Sequence, residues 1–192
     1  MTVVEVDLAT LDDGLLRAPA YRVVHRQAWL GTPHSALYGE LYAQAEHWRA
    51  SYVVVDATGI GAGLASFLAR SLGRSRLIPF VFNQASKSSL GWDFLGVVDS
   101  GRFKDYASDE SFRDLFLTQC TLCRYEVLPG PGKTLRWGVP DGQRHPQSGQ
   151  PVHDDLLLSA ALCAVLDGQE WSRGEAVSEV VEGYDPLQDM GW

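Results

Sequence analysis

The chain has 192 residues, of which 45% are hydrophobic and 21% are charged, a composition typical of one soluble globular domain. The net charge of −8 argues against a free-standing nucleic-acid-binding protein, because phosphate contacts usually come from a basic face. No apolar run is long enough to span a membrane, and the first residues lack the pattern of a signal peptide. We therefore expect a cytoplasmic protein, in the host cell if the chain is viral or prophage-encoded.

The periodicity of apolar residues predicts an α/β chain in the order β-β-α-β-α-β-α-α-β-β-α. The predicted strands are TVVEVDL, YRVVHRQAWLG, SYVVVDA and LIPFVF, followed by a hairpin of RYEVL and TLRWGV around PGPGK. The predicted helices are TPHSALYGELYAQAEHWRA, GAGLASFLARSLG, SKSSLGWDFLGVVDSGRF, SDESFRDLFLTQCTLC (capped by Ser108) and HDDLLLSAALCAVLDG. This order indicates a mixed central β-sheet with helices on both faces. Residues 1–170 form one predicted domain, and residues 171–192 an acidic, loosely attached tail.

Three cysteines occur in the chain, at Cys120, Cys123 and Cys163. The first two have the CxxC spacing of redox motifs and of half a zinc site. A zinc site needs a second Cys or His pair at suitable spacing, and the sequence has none. The pair also falls late in an amphipathic helix rather than directly after a strand. We therefore predict that the cysteines are structural.

Two glycine-rich segments have partial likeness to phosphate-binding loops. In residues 59–63, Gly-Ile-Gly-Ala-Gly, the third glycine comes one residue too early for the dinucleotide fingerprint, and the charge of Asp56 would repel a pyrophosphate. The segment PGPGKT, residues 129–134, ends like a Walker A motif but lies between two predicted strands. Neither segment is expected to bind a nucleotide.

Carboxylates follow one predicted strand and open the last predicted helix. Asp56 ends the apolar run of residues 52–55, where α/β proteins place their sites, and His153, Asp154 and Asp155 precede an apolar helix. Helix capping is the alternative interpretation at both places. Carboxylate oxygens suit Mg²⁺ or Mn²⁺, and two such ions can stabilise both oxygens exchanged in phosphodiester cleavage.

The segments VVVDATGIGAGLASFL, FVFNQASKSSLGWDFLGVVDSGRFK, RYEVLPGPGKTLRWGVPDG and HDDLLLSAALCAVL together resemble the C-terminal nuclease domain of phage large terminases. The likeness covers residues 21–166 and implies an RNase H-like (RuvC-like) fold. It implies a metal-dependent endonuclease, using Mg²⁺ or Mn²⁺, that cuts concatemeric viral DNA during genome packaging. Asp56 would be the acid of the central strand and Asp155, or else Asp154, the acid of the last helix. His153 would bind the metal or support a ligand.

The resemblance also implies partners and a path for the substrate. Lys87, beside Ser86, matches a polar and basic stretch of the family near the DNA, and Arg102 would add a further contact. A solvated surface lysine is the alternative interpretation of Lys87. Double-stranded DNA is the implied substrate, and a terminase ATPase domain, a small terminase subunit and a portal protein are the implied partners.

The chain departs from the family at its beginning. Met1 and Thr2 stand where the family's first strand, with its essential aspartate, has already passed, and no ATPase motif is found. Asp7 is a poor substitute, because it falls at the far end of the next strand. We expect the loss of one ligand to weaken metal binding. Two functions stay open: a nuclease, and a non-catalytic RNase H-like module that docks on packaging-motor or portal partners.

Overall fold

The structure, a computed structural model, describes residues 1–171, so the predicted acidic tail from residue 172 onward lies outside the described residues. The strands and helices of this part are, in chain order, β1 (Thr2–Asp7), β2 (Ala20–Arg26), α1 (His34–His47), β3 (Val53–Asp56), α2 (Gly61–Leu72), β4 (Leu77–Phe80), α3 (Gln84–Asp99), β5 (Phe103–Asp105), α4 (Glu110–Leu122), β6 (Arg124–Val127), β7 (Leu135–Gly138) and α5 (Asp155–Ala161). A 3-10 turn follows β1, and a 3-10 segment, Leu162–Gly168, continues α5. No helix within residues 1–171 combines the length and apolarity that crossing a membrane requires.

The strands pair in three hydrogen-bonded groups. In the first, β1 runs antiparallel to β2, and β2 runs parallel to β5. In the second, β3 and β4 are parallel, and in the third, β6 and β7 form the predicted antiparallel hairpin. Within residues 1–171, β1 and β3 therefore each pair along one edge only. The mixed strand directions agree with the prediction, although the strands do not join into one continuous ladder.

The β3–β4 pair is covered on both faces, as its apolar sequence predicts. Tyr52 and Val54 face the main hydrophobic cluster, whereas Val53 and Val55 face a second cluster built with α1 and α2. This alternation follows from the two-residue period of a strand. The strand that ends at Asp56 is therefore fixed from both sides.

The main cluster lies between the sheets and the helices α3, α4 and α5. Its buried members are Tyr21, Leu90, Phe94, Val97, Phe116, Leu156, Leu157, Ala160, Ala161, Cys163, Ala164 and Leu166. Helix α5 contacts β1, and its 3-10 continuation contacts β3. The last helix therefore holds two separate strand groups together and fixes its own first turn relative to them.

Two details of the predicted elements were wrong. The third predicted helix extends through Phe103 in the sequence, but α3 ends at Asp99 and the chain forms the short strand β5 after Gly101, whose φ of +69° ends the helix. Its three residues pair with β2, a tertiary contact that local periodicity does not reveal. The N-cap of α4 is Asp109 rather than Ser108, because its carboxylate accepts from the backbone of Ser111 and Phe112.

Candidate metal centre

Asp56 ends β3 with its side chain exposed. One carboxylate oxygen accepts a hydrogen bond from the backbone N–H of Thr58 at 2.8 Å, which forms a local turn. Helix α2 begins only at Gly61, with Ile60 at its N-cap and no side-chain cap. Asp56 therefore does not cap the following helix, and its second carboxylate oxygen accepts no hydrogen bond within residues 1–171.

The turn after Asp56 is tied to the first turn of α3. Thr58 Oγ1 accepts a hydrogen bond from the N–H of Phe82 at 2.8 Å. Asn83 then caps α3 through a reciprocal capping box with Ser86, whose hydroxyl also donates to the carbonyl of Val81 at 2.7 Å. The carboxyl ends of β3 and β4 and the start of α3 therefore form one edge. The hydroxyl of Ser86 is used in holding the start of this helix.

Lys87, in the first turn of α3, reaches across to the start of α5. Its ammonium lies 3.2 Å from Oδ2 of Asp154 and donates to it. The carbonyl of Lys87 accepts from the indole N–H of Trp137 at 2.7 Å, and the Trp137 ring lies 5.6 Å from the ammonium. Lys87 is thus an ion-paired residue beside the β6–β7 hairpin rather than a freely solvated surface lysine.

The two acids at the start of α5 have different surroundings. Asp154 occupies the N-cap position but makes no side-chain cap hydrogen bond, so the capping interpretation does not describe it. Asp155 is the first residue of α5 and is exposed. Burial lowers the pKa of the Met1 ammonium, and the charge of Asp155 partly offsets this effect, which places Asp155 near the start of β1. His153 is exposed in the preceding loop.

The donor chemistry of this edge fits a hard divalent cation, although no complete set of protein ligands is present. Within the described residues no group of three His, Cys, Asp or Glu side chains is arranged to hold a metal ion. Mg²⁺, however, is commonly held by one or two carboxylates together with substrate phosphates. Asp56 and Asp155 offer exposed oxygens for such a site, whereas Asp7, the weak substitute, pairs with Arg22.

Among the described residues, three buried polar side-chain atoms without a hydrogen-bond partner lie where β1 pairs with β2. These atoms are Thr2 Oγ1 and Arg26 Nε and Nη2. Thr2 and Arg26 are cross-strand neighbours in β1 and β2. Two of these atoms belong to a guanidinium, which repels a cation. The guanidinium therefore argues against a metal site between Thr2 and Arg26.

Arg102 lies away from this edge and is 8% exposed. Its guanidinium donates to both carboxylate oxygens of Asp167 at 2.8 Å and to the carbonyl of Pro19 at 2.8 Å. The hydrogen bond to Asp167 raises the pKa of Arg102. Tyr21 donates to the same carboxylate at 2.6 Å. Arg102 is thus engaged in a structural network, and its burial argues against the predicted contact with DNA.

The three cysteines are free thiols: Cys120 is exposed, Cys123 is half-buried and Cys163 is buried, and partial loss of hydration raises the pKa of each. For Cys120 the pKa rises from 9.0 to about 11, which lowers its thiolate fraction about a hundredfold near neutral pH. We expect the buried thiol of Cys163 to react slowly with iodoacetamide at neutral pH in the native protein and rapidly once the protein is unfolded in urea. Fast labelling of Cys163 in the folded protein, measured by mass spectrometry, would contradict a structural role.

No protein-family model matches the chain, and comparison with curated proteins by sequence gives no match. Among solved structures, the chain is similar to the large terminase nuclease from thermophilic phage G20c with bound cobalt. The sequence identity is 18% and the TM-score 0.54, and the alignment covers 86% of this chain and 80% of that chain. The chain has an RNase H-like fold. This confirms the predicted fold class, whereas the roles of Asp56, Asp154, Asp155, His153 and Lys87 stay predictions.

Sequence reasoning missed two residues that shape this edge of the fold. Trp137 and Gly138 of β7 lie against Lys87 and Asp154, and a Cβ added to Gly138 would come within 2.6 Å of Asp154 Oδ2. The turn signal PGPGK predicts the hairpin, but nothing in the local sequence shows which helix the hairpin covers.

Proposed function

We propose that the chain is a metal-dependent endonuclease that cleaves double-stranded DNA, in the manner of the large terminase subunits that cut concatemeric viral DNA. The observation that supports this proposal is that the start of α3 contacts both acidic segments in an RNase H-like fold. The turn after Asp56 is hydrogen-bonded through Thr58 to Phe82, just before α3, and Lys87 in the first turn of α3 pairs with Asp154. The cobalt bound in the similar terminase nuclease supports a divalent ion, for which Mg²⁺ or Mn²⁺ is the proposed physiological form.

The proposed role of each residue follows from its charge. Asp56 and Asp155 would hold the cation, which when bound neutralises phosphodiester charge and lowers the pKa of a water nucleophile. Lys87 contributes a positive charge to DNA phosphate at the same edge. His153, exposed beside Asp154, supports the ligands from the loop side. A terminase ATPase domain, a small terminase subunit and a portal protein are the proposed partners.

Supercoiled plasmid DNA incubated with the protein tests this function. We expect nicked and linear products with Mn²⁺ or Mg²⁺ and none with excess chelator, because the carboxylates alone cannot activate water. Asp155→Asn should reduce cleavage strongly, whereas Asp99→Asn, at the exposed far end of α3, should leave it unchanged. Cleavage that persists with chelator, or intact plasmid with a protein folded by circular dichroism, contradicts the proposal.

A second candidate function is a non-catalytic module that docks on packaging-motor or portal proteins. Two observations favour it: Asp154 is already paired with Lys87, and β1 and β3 each keep an unpaired edge within residues 1–171. An unpaired edge can accept a strand from another protein. The plasmid experiment separates the candidates, because this module leaves DNA intact at every metal concentration.

A further inference from the structure

The Lys87–Asp154 ion pair is enclosed on several sides. The side chains of Lys87 and Asp154 are 32% and 22% exposed. Trp137 lies over the ammonium, and Gly138 approaches both charged groups so closely that an added Cβ would lie 2.6 Å from Asp154 Oδ2 and 3.3 Å from Lys87 Nζ. Gly138 has a φ of +142°, a conformation that favours glycine. The backbone of β7 therefore leaves just enough room for this pair.

An ammonium in this position opposes a divalent cation in two ways. It takes up one oxygen of Asp154 by a charge-assisted hydrogen bond, and it repels a second positive charge nearby. Cys123 also lies close to Lys87 and Asp154, but burial raises the pKa of its thiol, so it adds no negative charge at neutral pH. With Lys87 in place, Asp154 therefore has one oxygen fewer to offer a cation.

We propose that Lys87 couples DNA binding to metal binding by pairing with Asp154 until a DNA phosphate draws the lysine away. This inference rests on the proposed nuclease function and extends it. The phosphate takes the ammonium as its own partner, and the oxygen of Asp154 that Lys87 occupied becomes available to the cation. Lys87 is then a positioning residue that acts through Asp154. In the absence of DNA, metal binding is weak because Lys87 stays paired with Asp154.

Thermodynamic linkage gives this proposal a quantitative form. If DNA raises the affinity for metal by some factor, metal must raise the affinity for DNA by the same factor. Removing the charge at Lys87 should strengthen metal binding in the absence of DNA and reduce the factor by which DNA increases it. A merely structural lysine would change the stability of the fold but not this coupling.

The test measures Mn²⁺ affinity from the electron paramagnetic resonance signal of free Mn²⁺. The wild type, Lys87→Met and Lys87→Arg are compared with and without a short duplex whose phosphorothioate linkages slow cleavage, with the duplex alone as background. Lys104→Met removes an exposed lysine of β5 and is the matched control. Without DNA, Lys87→Met should bind Mn²⁺ at least about tenfold more tightly than the wild type. Lys87→Arg and Lys104→Met should behave as the wild type does.

The outcomes separate this inference from the proposed function. The coupling is overturned if the wild type and Lys87→Met bind Mn²⁺ with equal affinity without DNA. It is also overturned if DNA changes the Mn²⁺ affinity of both by the same factor. Both conclusions hold even if the wild type cleaves plasmid. Binding of Mn²⁺ by neither protein, with or without DNA, overturns both the coupling and the nuclease proposal. Tighter binding by Lys87→Met together with a smaller effect of DNA supports the coupling, and wild-type behaviour of Lys87→Arg then assigns it to the charge.

Discussion

Asp56→Asn should reduce metal-dependent DNA cleavage by roughly a hundred- to thousand-fold, the range for removing one group that stabilises transition-state charge. The carboxylate stands exposed at the end of a strand that is covered on both faces, so its position is fixed while its second oxygen stays accessible. Replacement by an amide removes the negative charge that offsets the dehydration of a cation. Initial rates of plasmid nicking at saturating Mn²⁺ measure the effect.

The amide is also the least disruptive replacement. The side-chain oxygen of asparagine can still accept the hydrogen bond from the Thr58 N–H, so the turn should persist and the free energy of unfolding should change by less than about 1 kcal/mol. The control variant Asp99→Asn removes the same charge at the C-terminal end of α3 and should cleave plasmid DNA at the wild-type rate. Nicking by Asp56→Asn within about threefold of the wild type, a difference under 1 kcal/mol, would remove Asp56 from the site.

Arg102→Met should lower the free energy of unfolding by about 2–4 kcal/mol, because it breaks a buried ion pair from one side. Arg102 donates to Asp167, Pro19 and Ser100, and without it the carboxylate of Asp167 keeps only the hydroxyl of Tyr21 among these partners. The carboxylate is partly exposed, so water compensates some of the loss and the effect falls below that of a fully buried pair. Urea denaturation followed by circular dichroism measures it.

Arg113→Met is the matched control, since Arg113 is exposed on α4 and its replacement should change stability by no more than about 0.5 kcal/mol. The double variant Arg102→Met with Asp167→Asn should lose less stability than the sum of the single changes, because both remove one interaction. The network would be contradicted if the losses of unfolding free energy from Arg102→Met and Asp167→Asn were strictly additive. It would also be contradicted if Arg102→Met changed stability as little as Arg113→Met does.

Much of the fold could be predicted from local signals in the sequence. The apolar run that ends at Asp56 predicts a strand covered on both faces, and Gly73 closes α2 as expected. The strand β5 could not be predicted, since three residues carry no periodicity and their pairing with β2 is decided by packing far along the chain. The cap of α4 differs by one residue because Ser108 and Asp109 are both good caps.

The candidate site was predictable as a set of residue types but not as a set of contacts. Asp56 and the Asp154–Asp155 pair could be singled out because they lie where strands end and helices begin. That Lys87 pairs with Asp154, and that Arg102 is buried against Asp167, depends on the packing of distant elements. An arginine in a basic stretch resembles a DNA contact until its burial is known, since buried and exposed arginines have the same local sequence pattern.

The most direct measurement is the anomalous scattering of Mn²⁺ soaked into crystals of the protein grown with a short phosphorothioate duplex. We predict an anomalous peak about 2.0–2.6 Å from carboxylate oxygens of Asp56 and of Asp155 or Asp154, the range for hard cations held by oxygen. Lys87 should then lie against a phosphate rather than against Asp154. A peak elsewhere in the fold, or none at this edge with the duplex bound, would contradict the claim that these carboxylates form the metal centre of a nuclease.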